Sequence, residues 1–213
     1  MFRFFWLSLL ILVLSGCSTI LQSGKAYRAS YYHYSLKYAQ EESSIQKLPI
    51  RLGVYPITSD LEFRSKVILY RDEVEPDKIG RYAGIYYKHR WNALPQFLLD
   101  DLLELYLPPR LQQYVAYPSM TEVDYTLRLH LKHFEEFHGE KQSKALVEFQ
   151  YFLTNAEGEL MHNGQVRREK TYPTDPGELN NMVNQLSLCA QEGIQQILKE
   201  ITNELELATT SSS

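Results

Sequence analysis

Apolar and polar positions alternate along most of the chain, and two segments carry a helical repeat instead. Tyr31 to Tyr38 is rich in aromatics and predicts a first strand, followed by a polar loop over Ala39 to Lys47. Ile50, Leu52 and Val54 alternate with Arg51, Gly53 and Tyr55, a second strand that Pro56 ends. Val67 to Arg71 and Arg81 to Tyr87 predict two further short strands. The acidic, proline-containing loop between them suits a hairpin. Ala93 to Leu107 predicts a helix, because Leu94, Phe97, Leu98, Asp101, Leu102 and Leu105 recur at spacings of three and four. Pro108-Pro109 stops it.

Asp124 to Phe137 predicts a long strand with Tyr125, Leu127, Leu129 and Leu131 on one face and Thr126, Arg128, His130 and Lys132 on the other. Lys144 to Thr154 alternates in the same way. The turn Asn155-Ala156-Glu157-Gly158 then sends the chain back as a polar, edge-like strand over Glu159 to Tyr172. Gly177 to Leu207 predicts a long amphipathic helix, its stripe running from Leu179 through Met182, Leu186, Cys189 and Ile194 to Leu205. Ala208 to Ser213 reads as a disordered tail. The pattern predicts an α+β two-layer sandwich: a mostly antiparallel sheet with two helices on one face, built by a single domain over residues 31–207.

The first sixteen residues follow a different logic. Arg3 supplies a positive charge, and Phe4 to Leu14 is apolar apart from Ser8. That run is shorter than the roughly 20 residues a membrane-spanning helix needs and matches the apolar region of a signal peptide. Leu14-Ser15-Gly16-Cys17 resembles the lipobox of bacterial lipoproteins. Ser15 and Gly16 are small enough for a peptidase to accept, and Cys17 supplies a thiol for a diacylglyceryl group. Residues 1–16 are therefore expected to be a lipoprotein signal peptide, and 17–30 the lipidated cysteine with a short polar tether. Several acyl chains on one residue anchor firmly at about 0.8 kcal/mol per buried CH₂. In the lipoproteins of enteric-type bacteria an aspartate after the cysteine favours retention in the inner membrane and serine does not; by that resemblance Ser18 implies the outer membrane and its periplasmic face.

Composition narrows the function. The 213-residue chain has a formal net charge of −4, and losing Arg3 on cleavage before Cys17 makes it −5. No basic face is implied, which argues against nucleic acid as a partner. Acylation of Cys17 leaves Cys189 as the sole thiol, so no internal disulfide can form. Its place on the apolar stripe predicts a buried, inert cysteine. The chain has no phosphate-binding glycine loop, nucleophile elbow or paired-cysteine metal motif, so neither enzymatic activity nor any cofactor beyond the Cys17 lipid is expected. His130-Leu131-Lys132-His133-Phe134-Glu135-Glu136-Phe137-His138 imitates a metal site. Strict alternation, however, sends His130 and His133 to opposite faces and lets only His130, Glu136 and His138 share one. A charged strand end accounts for them. His89, beside Arg90 and Trp91, has no nucleophile near it in sequence.

Sixteen tyrosines are many for this length. Tyr31, Tyr32, Tyr34, Tyr82, Tyr86 and Tyr87 fall in two predicted sheet segments, and about half of each set faces away from the helices. They are the candidate partner contacts, or they cover a solvated sheet face. Trp91 joins them as a candidate, although an aromatic beside a leucine-rich helix more often fills a core.

Several pieces occur in an order that resembles the ABC-type transport auxiliary lipoprotein family, which includes the lipoprotein of the paraquat-inducible intermembrane transport system. They are Tyr34-Ser35-Leu36, Ile50 to Pro56, Val67 to Arg71, Tyr86-Tyr87-Lys88-His89-Arg90-Trp91-Asn92 with the helix after it, Asp124 to Leu129 followed by Phe134, and the long C-terminal helix. The chain departs from it at Ile57 to Arg64, where many members carry a Pro-x-x-Leu-Asp-Arg-Pro-like stretch. It departs again at Phe149 to Phe152, where many carry a tryptophan. The resemblance implies a non-catalytic outer-membrane component of an ABC or mammalian-cell-entry (MCE) lipid transport system, docking the periplasmic MCE protein, with a homo-oligomeric ring as one assembly. The alternative is a regulatory or structural envelope lipoprotein, for example an activator of an envelope synthase.

Overall fold

The structure is a computed structural model that describes residues 30–38, 48–72, 84–107, 111–116, 122–174 and 179–211. Cys17, the predicted signal peptide, the tether up to residue 29, the 39–47 loop, the 72–77 hairpin loop beyond Asp72, Tyr82 and Pro108-Pro109 lie outside the described residues.

Residues 32–213 form one compact unit. The described strands are β1 (Tyr32–Tyr34), β2 (Leu48–Val54), β3 (Thr58–Ser59), β4 (Val67–Asp72), β5 (Gly84–Trp91), β6 (Leu111–Ala116), β7 (Tyr125–His138), β8 (Gln142–Asn155) and β9 (Leu160–Pro173). The helices are α1 (Pro95–Tyr106) and α2 (Leu179–Ser211). The architecture is the expected α+β arrangement, and its sheet is mixed. Long antiparallel ladders join β7 to β8 and β8 to β9. On its other edge β7 carries three strands in succession, all parallel to it: β2 beside Leu127, β3 beside His130, β4 beside Glu136. β2 then pairs with β6, and β4 with β5 and through it β1.

The hairpin from β8 to β9 turns where the sequence predicts. Gly158 adopts φ 84°, a conformation that costs a glycine little. Asn155 braces the turn by accepting from the Glu159 N–H at 2.8 Å. α2 covers β8 and β9 and touches α1. One core fills the space between, with Leu127, Leu129, Leu131, Phe149 and Tyr151 from the sheet meeting Leu186, Cys189, Ile194 and Leu198.

Three expectations change. The buried stripe of α1 is Leu98, Leu99, Leu102, Leu103 and Tyr106, which leaves Phe97 exposed, because the helix presents the i+1 neighbours of the predicted positions to the core. α2 continues to Ser211 and so takes in most of the segment expected as a tail. The ladder between β7 and β8 slips between Leu131 and His133. This bulge reverses the alternation. His133 pairs with Glu148 and His130 with Gln150, so the two histidines share the outer face, while Glu136 and His138 turn to the helix side. The facing read from strict alternation is therefore corrected.

Candidate functional site

β5 is irregular where it meets β4. Leu69 pairs with Ile85 and Val67 with Arg90, two steps along β4 against five along β5. The three surplus residues make a bulge between Ile85 and Arg90, a feature common beside binding sites. Tyr86 to His89, with Tyr70, Ile85 and His138, line a hollow of about 450 Å³.

Rings make most of its wall. Tyr70 and Tyr86 lie 5.0 Å apart between centroids, Tyr70 and His138 5.9 Å, and Tyr86 meets His89 edge-on at 6.3 Å. The Tyr70 ring lies directly over Gly84. A Cβ there would fall 2.7 Å from the ring's Cζ, so this close approach needs glycine. β1 supports the far side. Tyr32 stacks on His89 at 5.2 Å, and the Tyr34 hydroxyl shares a 3.0 Å hydrogen bond with His89 Nδ1. Partial burial holds the His89 pKa below its ordinary value, so the ring stays neutral near pH 7.

Behind Tyr86 sits Glu136, only 3% exposed. Its carboxylate accepts from the hydroxyls of Tyr86 and Tyr172, and His138 Nδ1 stands 3.8 Å away. Burial first, then the carboxylate itself, pushes both tyrosine pKa values far up, so these hydroxyls stay donors. No lysine or arginine among the described residues pairs with Glu136, whose buried carboxyl oxygens are engaged by the two tyrosine hydroxyls.

The tyrosines singled out from sequence largely converge here. Tyr32, Tyr34, Tyr86 and Tyr87 surround His89 and the hollow, with Tyr32 64% and Tyr87 71% exposed. Tyr31 precedes β1 and is exposed. Trp91 does not join them. It is 1% exposed and packs on Phe134 at 5.2 Å, inside the core. Sequence reasoning missed Tyr70, Glu136 and His138 as parts of this site. The only signal was their place at strand ends, and the bulge in β7 hid which side they face.

The outer face of the sheet holds a second hollow of about 590 Å³ between Thr58, Arg128, His130, Lys132 and Phe152. Its charges are already engaged. His130 bonds to both Thr58 and Asp60 at 2.8 Å, Lys132 reaches Asp60 at 3.4 Å, and Arg128 lies over the Tyr55 ring at 4.3 Å. Among the described residues no three histidine, cysteine, aspartate or glutamate side chains are grouped to hold a metal. Cys189 is buried on the inner face of α2, and burial pushes its thiol pKa up to about 12. No helix among the described residues is long and apolar enough to cross a membrane.

No protein-family model matches the chain, and no curated protein matches it. Solved structures do. A protein of Xanthomonas campestris assigned to family DUF330 superposes with a TM-score of 0.66 at 11% identity, over 84% of this chain and 99% of that one. The likeness is one of fold. An uncharacterised protein follows at TM-score 0.50 and 17% identity, over 76% of this chain and 99% of its own. An uncharacterised lipoprotein of Nitrosomonas europaea reaches 0.45 at 11% identity, over 78% and 91%, too distant to argue from.

Proposed function

We propose that this chain is a non-catalytic lipoprotein, anchored through Cys17 on the periplasmic face of the outer membrane, that serves an ABC/MCE-type intermembrane lipid transporter by docking its periplasmic MCE protein. The observation that carries the docking role is the exposed strip Tyr32, Ile85 and Tyr87. β1 pairs with β5 only from His89 to Trp91, so among the described residues Ile85 to Lys88 have no strand on that side. An open strand edge flanked by exposed aromatic rings suits a protein partner. The edge supplies backbone hydrogen bonds, and tyrosine supplies contact area at a small entropic cost. The lipobox and the ordered family resemblance supply the membrane and the transporter.

Capture from envelope extracts tests this, using the full chain as bait. An MCE-domain protein should be retained, and Tyr32→Ala with Tyr87→Ala should release it while the melting temperature stays unchanged. Retention of an envelope synthase with no MCE protein would replace this reading with the regulatory one. For the anchor, Cys17→Ser should accumulate as an uncleaved precursor. A mature, outer-membrane Cys17→Ser protein would refute the lipoprotein assignment.

A further inference from the structure

We propose that the hollow between β4, β5 and the end of β7 binds an organic ammonium group carried beside a phosphate, the chemistry of phosphoethanolamine and phosphocholine headgroups. The proposal rests on the transport reading only for the source of that ligand, a membrane lipid.

Three features select this chemistry together. The wall is aromatic: Tyr70, Tyr86, His89 and His138 present rings to one space of about 450 Å³, enough for a headgroup. Ring faces attract an alkylammonium through their quadrupole, best where water is partly excluded. An acid lies behind the wall. Glu136 does not itself line the hollow but is buried behind Tyr86 with both oxygens accepting from tyrosine hydroxyls, and no lysine or arginine among the described residues pairs with it. A charge so placed acts through a low-dielectric medium and favours a cation in the hollow. The rim is positive. Lys88 is exposed and, among the described residues, is the one lysine or arginine lining the hollow, where it can meet a phosphate while the ammonium sits among the rings.

Other ligands fit less well. Among the described residues a bare anion would find one lysine and a buried acid behind the wall, since burial holds the His89 pKa below its ordinary value. A purely apolar ligand would leave Lys88 and the buried Nδ1 of His138, which has no hydrogen-bond partner, without gain. The surplus residues of β5 and the glycine under Tyr70 make the hollow a feature of the backbone rather than of one rotamer.

The test is calorimetric titration of the full chain in maltoside micelles with choline, phosphocholine, glycerophosphoethanolamine and glycerol 3-phosphate. Phosphocholine and glycerophosphoethanolamine should bind, and glycerol 3-phosphate should bind at least about ten-fold more weakly. Tyr70→Leu keeps apolar volume but removes a ring face, and should weaken phosphocholine roughly 2- to 30-fold. If that variant fails to fold, Lys88→Ala decides: it should weaken phosphocholine and leave choline unchanged. Lysophosphatidylethanolamine in the same micelles separates the sources. Tighter binding than glycerophosphoethanolamine identifies a membrane lipid, and equal binding identifies the free headgroup compound. The proposal is overturned if glycerol 3-phosphate binds as well as phosphocholine, or if none of the ammonium compounds gives heat. Capture of an MCE protein is read independently, so failure here leaves the docking proposal standing.

Discussion

Trp91→Ala should be among the most damaging single substitutions in the chain. The indole is 1% exposed and lies at the end of β5, where its ring meets Phe134 at 5.2 Å and its backbone N–H donates to the Lys66 carbonyl at 2.8 Å. The substitution leaves that backbone bond in place, so the loss is one of side-chain burial and contact. A fully buried tryptophan removes about 150–250 Å² from water. At roughly 25 cal/mol per Å² that transfer is about 4–6 kcal/mol, from which the alanine methyl recovers part. Large-to-small aromatic substitutions in cores cost about 3–5 kcal/mol, in agreement. For a domain of this size about 2–4 °C are lost per kcal/mol, so the melting temperature should fall by roughly 6–20 °C. Urea unfolding followed by far-ultraviolet circular dichroism measures the change, and Trp91→Phe should recover a large share of it. A loss below about 1 kcal/mol, with partner capture abolished, would refute a packing role and place Trp91 at an interface.

Further outcomes follow from two named contacts. Gly164→Ala sets a Cβ 2.6 Å from the Tyr151 hydroxyl, which bonds His162 at 3.0 Å and donates to Glu200. It should cost about 1–3 kcal/mol, and adding Tyr151→Phe should give less than the sum of the two losses in urea midpoints. Asp100 has its carboxyl pushed up to about 6, chiefly by burial, while the Ile57 N–H it accepts at 2.8 Å pulls the other way. A raised folded pKa means the folded chain keeps a proton that the unfolded chain has lost, so stability falls as pH rises from about 4 to 6. Asp100→Asn should therefore unfold at higher urea than wild type at pH 7.5 and near the same urea at pH 4. An equal difference at both pH values would remove that explanation.

The sequence made the long elements legible because their periodicity persists. α2 shows a repeat over more than twenty residues, and the β8–β9 hairpin announces itself through Asn155 and Gly158. β3 and β6 escaped for different reasons. β3 has two residues, too few for any period, and β6 opens Leu111-Gln112-Gln113 without alternation. The parallel docking of β2, β3 and β4 along one edge of β7 also lay beyond reach, since alternation fixes which face a residue takes but not which strand lies beside it. For the candidate site, tyrosine density pointed to Tyr32, Tyr34, Tyr86 and Tyr87. Glu136 and His138 needed the β7 bulge, and Tyr70 needed the uneven pairing of β4 with β5. Local irregularities brought Tyr70 and His138 to one hollow and Glu136 behind its wall, and no regular pattern encodes them.

The central claim is that the strip along β1 and β5 meets an MCE protein in the envelope. A photoreactive phenylalanine analogue placed in living cells at Tyr87, at Tyr32 and, as a control, at the exposed Phe97 of α1 tests it most directly. The account predicts a cross-link to an MCE-domain protein from positions 87 and 32 and none from 97. Cross-links that arise only at 97, or that join positions 87 and 32 to an envelope synthase instead, would contradict it.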